Sequence, residues 1–110
     1  MRKRSAAGDC SALAFAFMAD QDVHHLLVYE YVDDMLERRG PHREAHLANI
    51  RGERKAGRMV MAGALGDPPS GGAMVFKGVA PEHIEAFVQA DPYVVAGLVT
   101  SWRVKRWNLV

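Results

Sequence analysis

The sequence predicts an α+β domain with the element order βαββαβ, one antiparallel sheet carrying two helices on one face. Three observations predict it. Four short segments are rich in the β-branched, aromatic and other apolar residues that strands favour. Two segments place a proline near their start and then repeat apolar residues at helical spacing. The six segments alternate in an order that gives two half-domains of similar plan, with a turn-rich loop between the middle strands.

Each element has its own signal. "HHLLVYEYV" (24–32) is dense in Leu, Val and Tyr and reads as the first strand. Alternation puts Leu27, Tyr29 and Tyr31 on one face and Leu26, Val28 and Val32 on the other. "DDMLERRGPHREAHLANIRGERKAG" (33–57) is helical in its later part, with Pro41 in the first turn and Gly57 as the stop. "RMVMAGAL" (58–65) is the second strand, "GDPPSGG" (66–72) a loop and "AMVFKGV" (73–79) the third strand. "APEHIEAFVQA" (80–90) is the second helix, with Pro81 and Glu82 in its first turn and Ile84, Phe87 and Val88 inward. An Asp91-Pro92 joint and a short apolar turn lead to the last strand, "LVTSWRVKRWNLV" (98–110). There Trp102, Val104 and Val110 share one face, and Val99, Trp107 and Leu109 the other.

Helices on one face only would leave the other an exposed apolar patch. A symmetric homodimer, sheet against sheet, is the expected remedy.

Composition limits the function. A chain of 110 residues holds one core, and its 49% hydrophobic and 25% charged residues are those of an ordinary soluble domain. A net charge of +1 lacks the concentrated basic face of a nucleic-acid binder. Cys10 is the single cysteine, so no internal disulfide forms. No apolar run reaches the length of roughly 20 residues that spans a membrane. Residues 1–23 are expected to form an N-terminal extension, with 24–110 as the domain. The extension's "MRKRSAAGDC" start is basic. It is consistent with a disordered tail, a start at Met18 or a mitochondrial or plastid transit segment, and less so with a short secretory signal. A cytoplasmic location is the primary expectation.

The groups able to do chemistry are few. There is no phosphate-cradling glycine loop and no nucleophile elbow. His42 and His46 lie four apart on a helix, but no Glu sits between them in the zinc-protease pattern and no third ligand is evident, so no metal is expected. His24, His25 and His83 are expected at the surface. His46 differs, because it borders the apolar stripe of the first helix, and Arg43 lies within that stripe. In the βαββαβ plan the start of the first helix neighbours the end of the second. Asp91 therefore falls beside His46, where a carboxylate can orient the imidazole as a general base or acid. The same carboxylate suits an N-cap over Pro92, with one oxygen for the cap and the other for the histidine.

These residues carry a family likeness. "REAHLANI" (43–50), "AGAL" (62–65), "ADPYVVAGL" (90–98) and "VKRWN" (104–108) resemble the corresponding segments of YciI-like (YCII-related) proteins. The resemblance covers about residues 25–110. It implies a dimeric α/β barrel with a catalytic centre of one histidine and one aspartate, carried here by His46 and Asp91. It also implies that Arg43 and Tyr93 meet the substrate. One relative is a dehydrochlorinase of a chlorinated aromatic ring, and related muconolactone isomerases transfer protons in a similar barrel. The expected function is thus a small enzyme of lyase, isomerase or dehydrohalogenase type. Its substrate would be a small anionic or carbonyl-containing molecule, with no cofactor. The alternative is a non-catalytic small-molecule-binding dimeric module.

Overall fold

The two most buried strands occupy the middle of the sheet. In the computed structural model, which describes residues 23–110, the elements run β1 (His24–Tyr31), α1 (Met35–Arg38), α2 (Gly40–Lys55), β2 (Met59–Leu65), β3 (Gly71–Lys77), α3 (Pro81–Ala90), α4 (Pro92–Val95) and β4 (Val99–Trp107). The strand order is β2-β3-β1-β4, and every neighbouring pair is antiparallel. This is the ferredoxin-like α+β fold. Of the expected N-terminal extension, residues 1–22 lie outside the described residues.

Alternation along β1 builds the core. Leu27 and Tyr29 are completely buried and lie opposite Met74 and Gly72 on β3 and Val104 and Trp102 on β4. Above them sit Ile84, Phe87 and Val88 of α3. Because Leu27 stands at the centre of this cluster, Leu27→Ala is expected to lower unfolding stability by about 2–5 kcal/mol. Denaturant titration followed by circular dichroism measures it.

The opposite face of β1 carries Leu26 and Val28, level with Val75 and Ala73 of β3. Met61 of β2 continues this row past Val75. Among the described residues no helix lies over it, and Met61 is 58% exposed. No helix among the described residues is long and apolar enough to cross a membrane.

Four details differ from the sequence expectation. Gly71 and Gly72 belong to β3 and are buried, not part of the loop. A side chain at Gly71 would run into the Tyr29 carbonyl, so the strand closes on β1 only with hydrogen there. Val99 packs with Tyr31 on the core side with Trp102, because the pairing slips by a residue between Glu30 and Tyr31 and re-aims the strand. His25 is buried rather than at the surface; burial and nearby Arg106 lower its proton affinity below the usual histidine range. His83 is not simply solvent-facing: its Nε2 lies 2.8 Å from Glu53 Oε1, which Arg58 also holds. That contact ties α3 to the end of α2.

Two helix ends share one closing device. After α2, Gly57 takes φ +80°, the Gly57 N–H reaches the Arg54 carbonyl and the Arg58 N–H the Glu53 carbonyl. After α4, Gly97 repeats it at φ +76°, with Gly97 N–H to the Val94 carbonyl and Leu98 N–H to the Tyr93 carbonyl. Leu98 and Tyr93 are both buried and pack with Met35, so this closure fixes the turn that carries Tyr93.

Candidate active site

Asp91 is the joint between two helices. It ends α3 with extended backbone (φ −70°, ψ 124°) and caps α4, where Pro92 fills the first position and needs no hydrogen-bond donor of its own. The Tyr93 N–H donates to Asp91 Oδ1 at 3.0 Å. His46 Nδ1 lies 2.8 Å from the same oxygen. The Tyr29 hydroxyl donates to Oδ2 at 2.8 Å. Asp91 is 0% exposed and His46 5%, so this network is held away from water. The structure thus brings together His46 and Asp91, 45 residues apart in sequence. The two carboxylate oxygens divide their partners otherwise than the sequence suggests. Oδ1 serves both the cap and the histidine, and Oδ2 is held by Tyr29.

A carboxylate only accepts, so Nδ1 carries the ring proton and Nε2 keeps its lone pair in the neutral imidazole. The Tyr93 ring stacks on the imidazole, with centroids 3.8 Å apart and planes 9° from parallel. Tyr31 meets the Tyr93 ring edge-on at 6.0 Å. His46 is therefore fixed by Asp91 through one atom and by Tyr93 across its face.

A cavity of about 170 Å³ opens beside His46. An apolar protein cavity of about 150 Å³ admits benzene, so this volume suits one small ring or a short chain. Its floor is the sheet, where Ala62, Ala64 and Gly72 supply small side chains and hence space. Arg39 and Arg43 line it from the start of α2, and no carboxylate among the described residues does so. The Arg43 guanidinium also favours ionisation of the Tyr93 phenol.

The phenols are all pushed up. Tyr29 stays protonated because it is buried and faces the Asp91 charge. Tyr31 is pushed up to about 12, first by burial and then by Tyr93 and Asp91, against the pull of Arg39. Burial raises Tyr93, which Arg39 and Arg43 oppose. Each phenol remains a donor at neutral pH.

Three of these residues escape a sequence reading of the site: Tyr29, Tyr31 and Arg39. The tyrosines do leave a trace. An inward-facing Tyr on a central strand must find a hydrogen-bond acceptor for its hydroxyl. Arg39 sits between two helices, at a junction with no signal of its own. The described residues contain no group of three or more His, Cys, Asp or Glu able to hold a metal, and the His42/His46 spacing builds none.

The comparisons with known proteins come to the same fold. Among curated proteins none matches the chain. A solved structure, 5-chloro-2-hydroxyhydroquinone dehydrochlorinase from Burkholderia phenoliruptrix AC1100 in complex with 2,5-dihydroxybenzoquinone, is similar with a TM-score of 0.66 and 22% identity. The match covers 77% of this chain and 93% of that one, and at this identity the likeness is one of fold. The model of the YCII-related domain matches residues 23–108. With nearly all the described residues inside that match, this chain belongs to the YCII-related domain family.

Proposed function

We propose that this protein is a small enzyme in which His46 moves a proton on a substrate held in the adjoining cavity. The observation that carries this is single: a histidine bonded through Nδ1 to a fully buried aspartate also lines an open cavity. Nε2 then acts as general base, Asp91 stabilises the imidazolium that forms, and the same proton is returned in an acid step. Arg43, and with it Arg39, binds an anionic or strongly polarised oxygen, while Tyr93 holds the imidazole plane and meets the substrate's edge. Lyase, isomerase and dehydrohalogenase reactions all reduce to this proton movement. The dehydrochlorinase of similar fold is complexed with a small oxygenated ring, which supports a substrate of that size. We propose that the working unit is a homodimer of the 24–110 domain.

The test is a panel of small carbonyl acids and halogenated phenols, scored for thermal stabilisation and for turnover. The wild type is expected to be stabilised by some members and to convert at least one. Ala64→Phe should abolish both, because the side chain would grow into the floor of the cavity from an exposed edge-strand position. Unchanged binding in Ala64→Phe would move the site elsewhere. Binding by the wild type with no conversion anywhere in the panel would make the protein a binding module.

A further inference from the structure

We infer that Tyr31 is a second catalytic group, donating its hydroxyl hydrogen to the carbonyl oxygen of an enolisable 2-oxo acid while His46 takes a proton from the adjacent carbon. This rests on the acid–base reading of His46 and Asp91 and names the substrate class and the electrophilic partner it lacks.

Geometry points to Tyr31 first. Its position on β1 aims it at the helix side, and it lines the same cavity as His46. Its hydroxyl stands over Gly72, so close that a Cβ there would lie 2.6 Å from the Tyr31 oxygen. Any side chain at 72 would displace the hydroxyl, so glycine keeps a donor standing above the cavity floor. Tyr29 differs, because its hydroxyl is committed to Asp91. Burial then keeps the Tyr31 hydroxyl protonated and hence a donor.

The remaining lining sets the substrate. A base at Nε2 removes a carbon-bound proton only if the resulting electron pair has somewhere to go. A carbonyl next to that carbon takes the pair as an enolate, whose oxygen needs a donor where the charge develops. Tyr31 is that donor. The cation pair Arg39 and Arg43, one helical turn apart, fits a carboxylate beside the carbonyl. The step balances: the C–H bond breaks, the proton goes to Nε2, the pair moves to the carbonyl oxygen, and the pair then returns to take a proton at the same carbon or to expel a leaving group from the next carbon along the chain.

Hydrogen exchange tests this without knowledge of the natural product. The full chain is incubated in D₂O with pyruvate and larger 2-oxo acids, and loss of the C3 proton signal is followed by NMR. The wild type should exchange C3 protons of at least one member faster than buffer. Tyr31→Phe keeps the ring and its contacts, so it should fold, retain the concentration for half-saturation and lose about 10²-fold in maximal exchange. Gly72→Ala should show a loss in the same direction. Exchange unchanged in Tyr31→Phe but lost in His46→Ala would overturn the role of Tyr31 and leave the dyad standing. Exchange surviving His46→Ala would instead overturn the dyad. No exchange by the wild type with any 2-oxo acid would reject this substrate class.

Discussion

Asp91→Asn should lower turnover by about 10²–10⁴-fold, the range over which a positioned acid–base group acts. The fold should survive, for a reason visible in the hydrogen bonds. The amide oxygen can keep the Oδ1 position, accepting from the Tyr93 N–H and His46 Nδ1. The amide nitrogen then faces the Tyr29 oxygen, and a phenol accepts as well as donates. What disappears is the negative charge beside the imidazole. Without it the imidazolium formed by proton abstraction has no counter-charge on its buried Nδ1 side. Asp91→Ala is the contrasting variant. It leaves the Tyr29, Tyr93 and His46 donors without their acceptor, at about 1–3 kcal/mol for each buried group left unpaired. That variant should unfold at clearly lower denaturant, whereas the asparagine variant should stay near wild type. Turnover within about threefold of wild type in Asp91→Asn, less than about 1 kcal/mol of transition-state stabilisation, would remove Asp91 from the mechanism.

The meeting of His46 with Asp91 was legible in the sequence because topology alone dictates it. Once two helices run antiparallel on one face of a βαββαβ sheet, the start of the first faces the end of the second. The stripe angle of His46 then aims it inward. The rest depends on events with no local signal. The slip between Glu30 and Tyr31 turns Val99 to the core side, and a one-residue slip exchanges faces. The buried glycines of β3 look like loop residues, because what they permit is the close approach of Tyr29 and Tyr31 from another strand. Arg39 gains its place from a break between α1 and α2 that pattern alone does not mark. The Tyr29 hydroxyl on Oδ2 has no local signal either, because Tyr29 lies 62 residues away in the chain. Topology thus located the His46–Asp91 pair, and tertiary pairing supplied what surrounds it.

Val28→Lys should convert a dimer into a monomer, weakening self-association by about 10³-fold or more, roughly 4 kcal/mol. The uncovered sheet face supplies the motive. Leu26, Val28, Ala73 and Val75 form one apolar row across the central strands, extended by exposed Met61. An apolar face of this kind on a soluble monomer is uncommon, and sheets that stack lie about 10 Å apart with such residues interleaved. In a two-fold assembly each substitution enters twice, near its own image. A lysine at 28 would also stand opposite Arg103 of β4, so like charges would add to the cost of removing an ammonium from water. Light scattering with size exclusion at micromolar concentration should give twice the chain mass for the wild type and one chain mass for the variant. A one-chain mass for the wild type would reject the sheet-to-sheet dimer. The cavity lies on the opposite, helix-covered face. The monomeric variant should therefore keep the ligand binding of the wild type, which separates the role of this face in assembly from that of His46 in chemistry.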